Sequence, residues 1–462
     1  MSDGQQRAAA ADAGPCVRVD GDDRIVSPHA TVRGTLQVPG DKSISHRVAM
    51  LAGLATGTIS IEGFLASEDC LHTLQAVERL GARVQRDGSC VTVTGCGGTF
   101  RAPGGILDMG NSGTGIRLLS GLLAGHPFET ELTGDASLRS RPMRRIQDPL
   151  ERMGAKLSLT GERGCAPIRV HGARLKGIEY RLPMASAQVK SCVLLAGLMA
   201  EGRTTVMEPK ATRDHTERLL RAMGVKCVSD GLTISVDGVP TGGLHVPRGP
   251  WLVPGDFSAA AFWLAAAAMR PGSQVLLTNV GLNPRRTAML NVLRRMGAKL
   301  DVFPTDAQNA WEPAGAVSVE GVDLRGTEIA GDEIPNLIDE LPVVAAMAAL
   351  ATGTTVIRDA EELRVKETDR IAAMLKCLAE FGVQGEERPD GMVIHGGSRI
   401  RGGGRVQSFG DHRIAMAGAV LSLAADAPVR ICDVPCVATS YPAFWHDLGR
   451  LTGGGHRGDS AS

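Results

Sequence analysis

The chain has 462 residues, 43% of them hydrophobic, and its 50 basic side chains balance 50 acidic ones. That length exceeds what one hydrophobic core usually organises, so two domains are expected. A net charge of zero gives no electrostatic case for a nucleic-acid or polyanionic-surface binder.

The N-terminal MSDGQQRAAAADAG carries acidic residues and no long apolar core, which predicts a frayed end rather than a secretory signal. A joint is expected near residues 28–34. The stretch VPGDKSISHRVAMLAGLATG then sets Lys42 and Arg47 where an apolar helix begins. Cations there oppose the helix macrodipole, whereas an anionic ligand would meet free N–H groups and a favourable field. The motif is a near miss to a nucleotide P-loop, with GDKS where GK[ST] is required.

From here two helix types alternate. The first ends at a glycine: TLQAVERLGARV, IQDPLERMGAKL, TERLLRAMGVKC, MLNVLRRMGAKL and MLKCLAEFGVQ stop at Gly81, Gly154, Gly224, Gly297 and Gly382, and FWHDLGRLTG offers a shorter sixth at Gly449. The second is almost wholly apolar and leads through a turn into a β-rich run, as in KSCVLLAGLMAEGRTTVMEP. Six such turns, at Gly57, Gly125, Gly202, Gly272, Gly353 and Asp426, recur 68 to 81 residues apart. Wholly apolar helices belong inside a domain, and SAAAFWLAAAAM is too short to span a bilayer. Six repeated αβ units, three per domain, follow. The proline- and glycine-rich GLHVPRGPWLVPGD marks the split after the third unit.

The residues just before the six apolar helices are PGDKSISHR, MGNSGTGIR, PMASAQVKS, VPGDFSAA, GDEIPNLIDELP and QSFGDHR. Most offer Ser, Asp, Asn or Gly as cap or backbone donor. Two sets of three helix starts facing each other would make an anion-attracting cleft, and the clustering of Lys42, Arg47, Arg117 and Arg413 exceeds what capping alone requires. LRSRPMRRIQDPLERMG adds Arg139 and Arg141 ahead of Pro142, a good first-turn residue, and Arg144 and Arg145 in the next turn. In ELRVKETDR, Lys366 and Arg370 stand four apart, as on one helical face, with Glu367 and Asp369 able to neutralise them. A ligand with two anionic ends accounts for this pattern most economically. The ten scattered cysteines form no CxxC or histidine-paired metal pattern and are expected to be mostly buried small hydrophobes in a reducing compartment.

Taken in order, PGDKSISHR, GNSGTGIRLL, GDASLRSRPM, PMASAQVKS, IDELP, ELRVKETDR and GDHRIAMA resemble the 5-enolpyruvylshikimate-3-phosphate synthase family over almost the whole chain after about residue 28. The resemblance implies an α/β (α+β) fold of two similar domains, each of three βαβαββ units with internal apolar helices. Residues 34–250 would form one domain and 15–33 plus 251–455 the other, with 1–14 and 456–462 flexible. It implies transfer of the enolpyruvyl group of phosphoenolpyruvate to the 5-hydroxyl of 3-phosphoshikimate, releasing phosphate, with no cofactor or metal. Lys42 would touch both substrates. Ser43, Arg47, Ser186, Ala187 through its backbone, Gln188, Arg213 and Lys366 would hold 3-phosphoshikimate, while Arg141, Arg370, Arg413 and the Gly113 loop would hold phosphoenolpyruvate. Asp339 would take the hydroxyl proton and Glu367 would protonate the methylene carbon. A cytoplasmic monomer inhibited by glyphosate is the corresponding expectation.

Three departures from the family pattern stand out: Ala187 in place of a second serine, Glu362 near an asparagine position, and ATSYPAFW without the late lysine. The alternatives are a transferase acting on UDP-N-acetylglucosamine and a non-enzymatic anion sensor. Ser43 after Lys42 and the absence of cysteine from DASLRSRPM oppose the first, and Asp339 and Glu367 beside the basic cluster oppose the second.

Overall fold

A computed structural model describes residues 16–239, 244, 246, 249–305 and 311–453. The ends expected to be flexible, 1–14 and 456–462, lie outside the described residues, as does much of the GLHVPRGP segment. Among the described residues, alternating apolar strands and wholly apolar helices settle into six four-stranded sheets and six inner helices. In each sheet a short strand runs parallel to the strand that follows an inner helix, and a hairpin completes the sheet antiparallel. Leu107–Asp108 thus pairs with Glu129–Thr133, which pairs with Ile168–His171, which pairs with Lys156–Leu159. Between the last two strands that the chain reaches in such a sheet and the one before lies an outer helix, giving the βαβαββ unit.

The six inner helices are Lys42–Leu54, Gly113–Ala124, Ala187–Leu198, Phe257–Ala268, Leu341–Ala348 and His412–Ser422. They form the centres of two separate hydrophobic cores, three helices to each. Close approach is built in by small residues. A Cβ on Gly121 of the second inner helix would lie 2.3 Å from the carbonyl oxygen of Cys192 on the third, so only glycine permits that crossing. In the other core Trp263 stacks on Phe444 at 5.0 Å and donates a 2.9 Å hydrogen bond to Tyr441. Full burial of such side chains contributes about 1.5–3 kcal/mol each, and the indole N–H is satisfied.

Strand pairing locates the crossings between domains. Arg33–Gln37 runs parallel to Gln274–Gly281 in the second domain, and Trp251–Leu252 runs parallel to Thr58–Glu62 in the first. Val38 and Phe257 pack in the second core, Ile44 and Val253 in the first. We therefore move the proposed joints from 33/34 and 250/251 to residues 38–41 and 253–256, where Gly40 and Gly255 meet in an isolated bridge. The N-terminal strands Val17–Asp20 and Asp23–Val26 complete the sixth sheet against Val429–Cys432.

The outer helices end as the glycine pattern predicts, with positive φ running from 74° at Gly382 to 112° at Gly154. The sixth differs: Phe444–Leu451 runs through Gly449, because Leu448 before it and Leu451 after it both pack into the core, and the left-handed residue is Gly453 at 85°. Two further expectations shift. The basic helix begins at Arg144, two residues after Pro142, so the proline precedes the first turn. Lys366 lies in extended backbone before the helix Arg370–Glu380, which Asp369 caps, so Lys366 and Arg370 do not share a helical face. Among the described residues all ten cysteines are free, with Cys90 exposed and Cys96 and Cys436 half-buried. No described helix is long and apolar enough to cross a membrane.

Candidate active site

Five of the six inner helices begin with a side-chain cap of the expected type. Asp41, Ser112, Ser186, Asp256 and Asp411 accept from backbone N–H groups of their first turns. The fifth helix instead starts with Pro342 in its first turn. Residues at or beside all six starts line one cleft between the domains, a cavity of about 380 Å³. Six helix N-termini converging on one volume supply positive potential, and the first-turn N–H groups their caps leave free, to whatever binds there.

On the first-domain wall, Lys42 reaches Asp69 at 2.5 Å, while its backbone N–H donates to Asp256 of the other domain at 3.1 Å. Arg141 is buried, held by Asn111 at 2.5 Å and Ser137 at 3.0 Å. Gln188 accepts from Arg117 at 2.6 Å and donates to Thr114 at 2.9 Å, which stiffens the helix starts bearing Gly113 and Ser186. Gly113 opens the second inner helix without left-handed backbone, and a Cβ there would sit 3.0 Å from Arg117 and 3.2 Å from Arg141. Ser43, Ser186, Ala187 and Arg213 line the cleft as expected. Arg47 behaves differently. Its guanidinium donates to Ser43 O, Thr216 and Ser191 at 2.7–2.8 Å and is not part of the lining. Burial, the largest influence on it, pushes its pKa down to about 10.

The second-domain wall carries Asp339, Lys366, Glu367, Arg370 and Arg413. Arg370 is 1% exposed and bonds Asp411 and Glu367 at 2.7 Å and Asp339 at 3.3 Å. Arg413 donates to the carbonyl of Asp339 at 2.9 Å. Both acidic candidates reach across the cleft: Asp339 pairs with Arg213, and Glu367 lies 3.4 Å from Arg141. Burial opposes ionisation of Asp339, but Arg213, Arg413, Lys366 and Arg370 together outweigh it and hold the carboxyl well below the usual range. Glu367 follows the same pattern: burial opposes charge, and Arg370 and Arg141 lead the cations that overcome it. Burial lowers the Lys366 ammonium from its ordinary value.

The structure thus gathers Lys42, Ser43, Arg141, Ser186, Ala187, Gln188, Arg213, Asp339, Lys366, Glu367, Arg370 and Arg413 on one cavity, with Gly113 immediately behind Arg117 and Arg141. Sequence reasoning missed Asp69, Asn111 and Asp411, because each acts on a partner at least 27 residues away through a fold contact with no local pattern. Among the described residues no group of three or more His, Cys, Asp or Glu side chains is placed to hold a metal ion.

Comparison with known proteins decides the family. Residues 26–448 match the sequence profile of EPSP synthase (3-phosphoshikimate 1-carboxyvinyltransferase). The chain belongs to the EPSP synthase family. It is 51% identical over 431 residues to the 3-phosphoshikimate 1-carboxyvinyltransferase of Akkermansia muciniphila, covering 91% of this chain and 98% of that protein. The Bacillus subtilis enzyme of the same name is 46% identical over 423 residues, with coverages of 91% and 98%. The EPSP synthase structure from Acinetobacter baumannii superposes with a TM-score of 0.80 at 43% identity, covering 92% of this chain and 97% of that one. The enolpyruvyl transferase NikO from Streptomyces tendae shares the fold alone, with a TM-score of 0.75 at 19% identity and coverages of 93% and 97%.

Proposed function

We propose that the cleft divides the labour of enolpyruvyl transfer between cations from both walls, which capture the anions, and two carboxylates, which move the protons. The reaction itself is the family's: the enolpyruvyl group passes from phosphoenolpyruvate to the 5-hydroxyl of 3-phosphoshikimate, and phosphate leaves. In our reading Ser186, the backbone N–H of Ala187 and Gln188 receive the phosphate of 3-phosphoshikimate, with Ser43, Arg213 and Lys366 along its ring. Arg47 acts one layer behind, fixing Ser43, Ser191 and Thr216 in place. Arg141, Arg370 and Arg413 grip phosphoenolpyruvate beside Gly113, and Arg117 joins them from beneath the glycine. Planar guanidinium donors suit both phosphate and carboxylate oxygens.

Asp339 accepts the hydroxyl proton as the oxygen attacks carbon 2, and Glu367 delivers a proton to the methylene carbon. The resulting tetrahedral intermediate loses phosphate by carbon–oxygen cleavage while the new methyl group returns a proton, restoring the double bond. Lys42, near both carboxylate walls through Asp69 and the Asp256 contact, stabilises the changing charge. In the free cleft both acidic groups are ionised, and the cations that keep Asp339 ionised also weaken it as a base, so its basicity rises as substrates take over those cations. Glu367 gains its proton when phosphoenolpyruvate competes for Arg141 and Arg370, because weakening those pairs raises the carboxyl's pKa and the bound anion raises it further.

The observation that supports this reading best is the convergence of Asp339 and Glu367 with ten lysine and arginine side chains on one cavity lined from all six inner-helix starts. In this reading glyphosate would compete in the phosphoenolpyruvate region, and the enzyme would act as a cytoplasmic monomer. Incubation with phosphoenolpyruvate and either 3-phosphoshikimate or UDP-N-acetylglucosamine, followed by product identification and phosphate release, tests it. Turnover with 3-phosphoshikimate alone is expected. Turnover only with the nucleotide sugar, or binding without phosphate release, would overturn it.

A further inference from the structure

Among the described residues, three ion pairs bring a first-domain arginine to a second-domain carboxylate inside the cleft: Arg213 with Asp339, Arg141 with Glu367 and Arg145 with Glu362. The first two consist of groups that hold substrate or move protons in the reading above, so ligands compete for them. The third does not. Arg145 sits on the helix Arg144–Arg152, and its Nη1 donates to both oxygens of Glu362, in the turn Glu361–Val365, at 2.9 and 2.8 Å. Glu362 also lies 4.0 Å from the Lys366 ammonium. Both members line the cavity and are about a quarter exposed, so they stand toward its open side rather than in either core.

We propose that Arg145 and Glu362 are a pair of positioning residues that latch the two domains together while substrates are bound. Opening the cleft must separate the two side chains, because they belong to different domains. Closing it brings Glu362 to Arg145 and sets Lys366 at the acceptor site through the same carboxylate. The pair also removes a competing cation. Arg145 adds to the positive field around Arg117 and Arg141, and a carboxylate satisfying it leaves the deeper arginines free for ligand.

This inference rests on the substrate assignment of Arg213, Asp339, Arg141 and Glu367, and a double-mutant cycle tests it separately. Arg145→Gln, Glu362→Gln and the double variant should be compared with the parent for kcat, both KM values and melting temperature. Each single change should raise the KM for 3-phosphoshikimate about five- to tenfold with a smaller fall in kcat. The double variant should be no worse than either single one, because the shared interaction can be lost only once. Scattering with both substrates bound should show a more open particle for all three variants, at unchanged melting temperature. Effects that multiply in the double variant, or a compact particle identical to the parent, would overturn the latch. Arg141→Ala in the same assay distinguishes the failure of the substrate assignment: an unchanged KM for phosphoenolpyruvate there would remove the assignment whatever the cycle shows.

Discussion

Replacing Gly113 with alanine adds one methyl group at the place where the cleft is most tightly organised. Its Cβ would lie 3.0 Å from Arg117 Nη1 and 3.2 Å from Arg141 Nη1, both closer than ordinary van der Waals contact. Neither guanidinium is free to swing away. Arg117 is tied to Gln188 at 2.6 Å and Pro142 O at 3.0 Å, and Arg141 to Asn111 at 2.5 Å and Ser137 at 3.0 Å. The backbone raises no objection, since Gly113 is the first residue of a helix and not left-handed, so any loss of folding stability comes from crowding the two arginines and not from backbone strain. The cost falls on the space between the arginines. A methyl-sized intrusion into a filled site costs about 1–3 kcal/mol, or roughly tenfold to a hundredfold in affinity. If glyphosate fills that space and phosphoenolpyruvate fills it less completely, the inhibition constant should rise by that factor, while phosphoenolpyruvate affinity falls no more than about threefold. Inhibition constants and direct binding of phosphoenolpyruvate, measured for folded parent and variant, check this. Equal losses for both ligands would refute selective crowding, and a parent insensitive to glyphosate would refute the use of Gly113 as the predictor.

Arg141→Ala should weaken phosphoenolpyruvate capture at least tenfold, whereas Asp339→Asn should keep the fold and depress single-turnover chemistry far more than binding; normal single-turnover rates in the second variant would reject Asp339 as the base. Asp339 is also a pH reporter for stability. Its folded pKa lies well below the unfolded value of about 3.9, so its ion pairs contribute fully above about pH 4 and are lost as pH falls through the lower folded value. Asp339→Asn should therefore lower the urea midpoint of the ligand-free protein at pH 7, with parent and variant converging below pH 4; a gap independent of pH would contradict the sign. Small-angle scattering should show compaction when both substrates saturate the parent, because anions neutralise walls that otherwise repel. An unchanged particle at verified saturation would sink domain closure.

What the chain declares locally, it declares well. A cap acts over two or three residues, as when Asp41 accepts from Ile44 and Ser112 from Gly115, so five inner-helix starts were legible as short motifs. Glycine-stopped outer helices were legible for the same reason. Contacts between elements were not. Arg145 and Glu362 are 217 residues apart, and Lys42 reaches Asp69 only because two helices of one unit lie side by side. Misreadings arose where a tertiary contact overrode a local signal. Gly449 stays helical because its neighbours are buried, and we propose joints at 38–41 and 253–256 because each domain lends a strand to the other's sheet.

The net charge illustrates the same limit. A total of zero over 462 residues argues correctly against polyanion binding by the surface as a whole, yet ten basic and six acidic side chains line the cleft, an excess of four positive charges. That excess sits where six helix ends add their own positive potential and where low-dielectric walls focus the field. Two substrates that each carry a phosphate and a carboxylate are drawn to such a place without the protein becoming a general polyanion binder. In the proposed mechanism the carboxylates among the cations are what convert attraction into turnover: Asp339 and Glu367, paired with Arg213, Arg141 and Arg370 in the free cleft, would surrender these arginines to the ligands as the reaction's protons move.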